Sequence, residues 1–426
     1  MPGRVFELPY GKARVGLRVD GDVLSPRDVP VVADEAAAVR DVLEHPIGAA
    51  PLGEIVRAGE RVAIVVNDIT RLTRTELMLP LILETLNRAG VPDRNIFIVF
   101  ALGIHRRQTE AEQRMIVGDE IFDRIRCFDH VATDDSALVE IGVTSFGNRV
   151  EISREVWEAD RIILTGEIIY HLIAGYSGGR KSLVPGVAGF RTTTFNHRMI
   201  FDENCRSGKL DGNPAHEDLL EACRMAEPDF IVNVVLSPEG KLVRVVAGDL
   251  ELAHREGCRA VDEMMRVEIE KPYDILVASA GGFPLDIDLR QAHKGLENAC
   301  QALRPGGSIL FLAECPSGAG IRAFEEYVAR YSNDFEMREA LEREFVVGGH
   351  KAYWVARLGR LYNVHLVSGL DEQFVRRCHF TPIAFADCES AWAELLRGAG
   401  ANARVGIVPY SGVTLPAMRA SYRAEM

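Results

Sequence analysis

The 426-residue sequence predicts an α/β protein of two α/β domains with mainly parallel sheets. Two observations carry that expectation. Short, continuous apolar runs alternate with helix-like stretches, as buried parallel strands alternate with their crossover helices. The alternation also occurs as two series, separated by the polar stretch EMMRVEIEKP at 263–272. Length agrees, since a chain of this size holds two or three domains that each bury a core.

The first twenty residues differ in kind. Val5-Phe6-Glu7-Leu8 and Ala13 to Val19 flank Tyr10-Gly11-Lys12 and alternate in polarity, which predicts a β-hairpin. RVAIVVND (61–68) then reads as a strand before the helix TELMLPLILETLNRAG (75–90). NIFIVFALG (95–103) precedes the helix TEAEQRMIVG (109–118), and RIILTGEII (161–169) runs into a glycine-rich loop. In the second series, YDILVASAGG (273–282) is a strand and loop, and DLRQAHKGLENACQAL (288–303) a helix. RPGG is a turn, SILFLAEC (308–315) the next strand, and NVHLVS (363–368) and RVGIVPY (404–410) later ones. The expected division is an N-terminal domain over 1–270 and a Rossmann-like C-terminal domain over 271–400. The terminal strand in 400–426 is free to return to either.

Composition excludes several function classes. Net charge is −13 and no basic run is dense enough for a nucleic-acid surface. No apolar run approaches a membrane span of roughly 20 residues, and the N-terminus lacks the apolar core of a secretory signal. The eight cysteines are scattered, with no Cys-x-x-Cys pair, as expected of reduced thiols in a cytoplasmic protein.

In open α/β sheets ligand groups sit just past the carboxyl ends of strands. There the sequence places Asp68, Ile69, Thr70 and Arg71 after the first strand, His105 after the second, and His171 with Lys181 after the third. His197 follows in FNHR. The second domain offers Arg290, Gln291 and Lys294, the last two one helical turn apart. Each alone is unremarkable; together they furnish a cleft between two domains. The loop HLIAGYSGGRKSLVPGVAGF (171–190) is not a triphosphate loop. Arg180 occupies the glycine position directly before the lysine, and Pro185 follows where a helix would have to continue. The dinucleotide pattern Gly-x-Gly-x-x-Gly is also missing after the first strands, and RPGGSILFLAE matches Rossmann-like methyltransferases only generically.

Asp68-x-x-Arg71, His105 in GIHR, His171 and Lys181 in the glycine-rich loop, His197 in FNHR, Gln291-x-x-Lys294 and GGHKAYW (348–354) run in one order over residues 60 to 360. That set resembles the lactate racemase family of nickel-pincer nucleotide enzymes. The resemblance implies a racemase or epimerase of 2-hydroxy acids. Its cofactor is a pyridinium-3,5-bisthiocarboxylic acid mononucleotide carrying Ni(II), in a cofactor cleft between the domains. It implies covalent attachment at Lys181, nickel ligation by His197 and further cofactor contacts from Asp68, Ile69, Thr70 and Arg71. His105 and His171 become the acid/base pair, suited by an imidazole pKa of about 6.5. Arg71, Arg290, Gln291, Lys294 and Trp354 become substrate contacts, and cofactor-synthesis proteins become partners. Arg290 adds a cation where such enzymes carry a neutral aromatic residue, so the substrate is expected to be lactate-like or a larger dianion such as malate. The competing role for Arg290 is a pair with Asp286 or Asp288. Alternative readings are a nucleotide-dependent oxidoreductase or transferase on the same fold, and a non-enzymatic binder of nickel or nucleotide.

Overall fold

The computed structural model describes residues 3–71 and 73–419 and divides into two compact units, 28–264 and 1–27 with 265–426. Unit 28–264 is built on a six-stranded sheet. Its order is Leu242–Gly248, Phe230–Leu236, Arg161–Glu167, Val62–Asn67, Ile96–Ala101 and Arg126–Asp129. All neighbours are parallel except the edge pair Phe230–Leu236 and Leu242–Gly248. Side chains alternate across the sheet as the period of two requires. Ile64 and Val66 join one core with the helices Glu35–Glu44 and Thr75–Arg88, while Ala63 and Val65 join another on the opposite face with Ile162 and Leu164. Both faces are covered, which is why these strands read as unbroken apolar runs. The expected helix at 109–118 spans Glu110–Val117, opened by a capping box between Thr109 and Glu112.

The second unit has its own six-stranded sheet, ordered Thr381–Ile383, Asn363–Val367, Leu303–Leu312, Tyr273–Ser279, Val405–Val408 and Asp22–Val23, parallel throughout. The predicted hairpin is present as Arg4–Tyr10 paired with Ala13–Val19. Its Leu8, Leu17 and Val19 are buried with Ile275, Val277 and Leu310. Residues 1–27 therefore belong with 265–426, not with an N-terminal domain of 1–270. Alternation revealed the hairpin but not which core its apolar face would enter. The strand Val405–Val408 stays in the C-terminal sheet, Leu415–Met418 pairs with Arg266–Ile269, and residues 420–426 of the expected terminal strand lie outside the described residues.

One local expectation changes form. RPGG is not a turn before a strand; it lies inside Leu303–Leu312, where the pairing jumps from Tyr273↔Leu303 to Ile275↔Ser308. Gly306, at φ +72°, lets the extra residues bulge. Among the described residues no helix is long and apolar enough to cross a membrane, and all eight cysteines are free thiols.

Candidate active site

The carboxyl ends of the central strands of unit 28–264 hold a connected polar network. Asp68, one residue beyond Val62–Asn67, is only 4% exposed. Its Oδ2 lies 2.6 Å from His105 Nδ1. Its Oδ1 accepts from the Thr70 hydroxyl at 2.6 Å and the Thr70 backbone N–H at 3.2 Å, closing an Asx-type turn. Burial pushes the Asp68 carboxyl up, but the hydrogen bonds and charge of His105, with help from Thr70 and Arg71, hold it below its ordinary value. The Ile69 N–H donates to Gln108 Oε1 at 2.7 Å, and Gln108 donates its own N–H to Asp129 at 2.7 Å. Three adjacent strand ends are tied together in this way.

His105 itself sits on a turn closed by its N–H to the Leu102 carbonyl at 2.9 Å, with 43% of its side chain exposed. With Nδ1 committed to Asp68, Nε2 is the ring nitrogen outside that pair. The same turn meets the glycine-rich segment, since the Gly103 N–H donates to the Gly186 carbonyl at 2.8 Å. A Cβ at Gly186 would stand 2.0 Å from the Ser182 carbonyl oxygen, so only glycine permits this close passage.

His171 lies in a small hairpin, Tyr170–His171 against Gly175–Tyr176. Its Nδ1 accepts the backbone N–H groups of Ile173 at 3.2 Å and Ala174 at 3.1 Å. Gly175, at φ +76°, passes so near the Lys209 carbonyl that a Cβ would be 2.0 Å from its oxygen. Arg180, which ruled out a triphosphate loop, is fully buried. Its guanidinium donates to the carbonyls of Ala174 at 2.8 Å, Tyr176 at 3.1 Å and Gly178 at 3.4 Å, and contacts His254 Nε2 at 2.9 Å. Desolvation lowers its pKa to about 10. Arg180 thus clamps the His171 hairpin to the turn Gly179–Ser182 that carries the half-buried Lys181. That turn is fixed to the sheet by the Gly179 N–H on Asn233 Oδ1 at 2.8 Å and the Ser182 hydroxyl on the Thr165 carbonyl at 2.6 Å.

His197 ends the helix Phe190–His197 and turns Nδ1 to the Thr193 carbonyl at 2.8 Å. A histidine that donates from Nδ1 to a carbonyl keeps its lone pair on Nε2, the arrangement of metal-ligating imidazoles. Glu167, the last residue of Arg161–Glu167, escaped the sequence reading. Burial pushes its carboxyl up to about 7, with Arg71 pulling it down. Its signal was its position, a lone carboxylate at a central strand's carboxyl end. Asn67 Oδ1, beside Asp68, is buried with no hydrogen-bond partner. No group of three His, Cys, Asp or Glu side chains among the described residues is arranged to hold a metal ion by itself.

In the other unit, Asp288 caps the helix Leu289–Cys300 by accepting from the Gln291 N–H at 2.7 Å. Arg290 pairs with the same Asp288 at 3.3 Å, and Asp286 takes the N–H groups of Gly11 and Glu314 on Oδ2 while its Oδ1 is buried without a hydrogen-bond partner. Gln291 Oε1 and Lys294 Nζ are 2.5 Å apart on one helix face, as their spacing predicts. Trp354 is 7% exposed, with the Arg357 guanidinium 4.9 Å from its ring centroid and an unpartnered indole N–H.

Residues 10–208 match the family described as lactate racemase N-terminal domain, and residues 269–415 match the lactate racemase C-terminal domain. The chain belongs to the lactate racemase family. It is 35% identical over 332 residues to the lactate racemase of Lactiplantibacillus plantarum, covering 76% of this chain and 78% of that one. It is 34% identical over 327 residues to that of Thermoanaerobacterium thermosaccharolyticum, covering 75% and 76%. The lactate racemase apoprotein structure from the latter organism superposes with a TM-score of 0.88 at 28% identity, covering 97% of this chain and 100% of that one. The protein is accordingly an isomerase of the racemase class. The lactate racemase family matches span every candidate residue named above, from Asp68 to Trp354.

Proposed function

We propose that the protein racemises a lactate-like 2-hydroxy acid through a planar 2-keto acid, with His105 and His171 as its acid/base pair and a nickel-pincer nucleotide as cofactor. The observation that carries the reading is the Asp68–His105 pair at 2.6 Å, set on the strand ends where the fold presents ligand groups. The residues fit the cofactor chemically. His197 turns Nδ1 to the Thr193 carbonyl, the orientation of metal-ligating imidazoles, and soft sulfur donors with one imidazole suit Ni(II). Lys181 stands on a turn clamped from beneath by Arg180, a fixed base for a covalent link. We assign Asp68, Ile69, Thr70 and Arg71 to the surroundings of that group. When bound, it supplies a reversible acceptor for the hydrogen at C2 as hydride.

The protein's own residues then manage one proton and one carboxylate. The substrate hydroxyl gives its proton to one histidine, and the second returns a proton to the oxygen after the planar product has offered its other face. Gln291 and Lys294 hold the carboxylate, and Trp354 is assigned to the pocket wall. Arg290 already pairs with Asp288 at 3.3 Å, which favours a lactate-like substrate over a dianion. The test is interconversion of single enantiomers by cofactor-loaded protein. Lactate is expected to racemise faster than malate, and Arg290→Ala is expected to change lactate turnover less than threefold. A malate preference abolished in Arg290→Ala would overturn the lactate-like assignment. Lys181→Ala is expected to lose the covalent adduct in intact-protein mass spectrometry; a retained adduct refutes Lys181 as the attachment point.

A further inference from the structure

The two histidines of the proposed pair are held by opposite kinds of partner. His105 turns Nδ1 to a carboxylate oxygen that can only accept, because Asp68 is held ionised by its surroundings. A neutral His105 therefore carries its proton on Nδ1 and presents Nε2 as a lone pair. His171 turns Nδ1 to two backbone N–H groups that can only donate, those of Ile173 and Ala174. A neutral His171 therefore carries its proton on Nε2.

We propose that Asp68 and the Ile173–Ala174 backbone fix His105 and His171 as opposite tautomers, making His105 the proton acceptor of the resting enzyme and Asp68 its positioning residue. This rests on the racemase reading and deepens it. In the first proton transfer the substrate O–H bond breaks, its electron pair stays on oxygen, and a new N–H bond forms at His105 Nε2. The imidazolium so formed sits against the Asp68 carboxylate, 2.6 Å away at Nδ1. His171 cannot accept at Nε2 in the same geometry, since the required proton on Nδ1 would face two other N–H donors. To act as base, or as an acid that leaves a neutral ring behind, it must first give up the contact with Ile173 and Ala174 and take a proton on Nδ1 from water, so the hairpin tip moves when the two histidines exchange roles. Both Asp68 oxygens are engaged in this network, Oδ1 by Thr70 and Oδ2 by His105.

Asp68→Asn is the informative change. The Thr70 N–H donates to Oδ1, so the amide oxygen stays on that side and the NH₂ turns to His105. A donor there forces the His105 proton to Nε2 and removes the base. Imidazole ¹⁵N spectra of the full-length protein at about pH 8, above the ordinary histidine pKa, read the tautomers directly. His105→Gln and His171→Gln samples assign the signals. The expected wild-type pattern is a protonated Nδ1 in His105 and a protonated Nε2 in His171, with the His105 pattern reversed in Asp68→Asn. In cofactor-loaded Asp68→Asn, kcat is expected to fall roughly 100-fold or more, while the Lys181 adduct is unchanged. Like tautomers in wild type, or an unaltered His105 in Asp68→Asn, overturns the inference even in an enzyme that racemises well. Opposite tautomers in a protein that interconverts no hydroxy acid leave it standing and remove the racemase reading instead.

Discussion

Glu167 shows how a residue's surroundings set its chemistry. Its carboxyl, raised by burial from the usual 4.5 to about 7, binds a proton in the folded chain over a range where the unfolded chain has lost it. Folding is therefore most favoured below about pH 4.5 as far as this group is concerned, and the contribution is lost as pH rises through 7. The shift corresponds to up to about 3 kcal/mol. Glu167→Gln is expected to flatten the decline in urea-unfolding free energy between pH 5 and pH 8; parallel declines in both proteins would show that Glu167 ionises normally. Nothing in RIILTGEII signals this, because desolvation depends on neighbours brought in from elsewhere in the chain. The Asp68–His105 pair was half legible. Both residues stood out at strand ends, but 37 positions separate them, and the sequence could not say that one orients the other.

At the scale of elements, the strands and helices were readable because packing and local pattern agree. Continuous apolar runs marked strands covered on both faces, and Thr109 with Glu112 marked a helix start. The glycine-rich loop was readable only in part. Its residues showed that it could not be a triphosphate loop, yet the reason for Arg180 emerges only from three carbonyls and a histidine converging on one buried guanidinium. Arg180→Met is expected to lower stability by about 3 kcal/mol, since it strips donors from buried carbonyls. Hydrogen exchange should quicken across 170–182 before the rest of unit 28–264. Arg180→Lys is not expected to rescue it, because an ammonium cannot reproduce the planar fork. Unchanged exchange in either variant would mean that the clamp does not hold the hairpin.

For the whole molecule, the decisive feature is that the chain starts in one unit, crosses to build the other, and returns. The second crossing falls within the polar stretch at 263–272. The first was invisible, because an alternating hairpin fits any sheet with an open apolar face. Deleting residues 1–20 removes Leu8, Leu17 and Val19 from the core around Ile275 and Val277. At 1.5–3 kcal/mol for each buried side chain, the expected loss is about 5 kcal/mol. It should fall on the unit containing 265–426, with hydrogen exchange in the strands of 28–264 preserved; uniform loosening of both units would contradict the division.

Racemisation through a 2-keto acid makes one demand: the hydrogen on C2 moves as hydride and never mixes with solvent. Cofactor-loaded protein given a single enantiomer of lactate in D₂O should yield the opposite enantiomer with protium retained at C2, read by mass spectrometry of the separated enantiomers. Deuterium at C2 of the product would contradict hydride transfer and, with it, the roles assigned to His105 and His171.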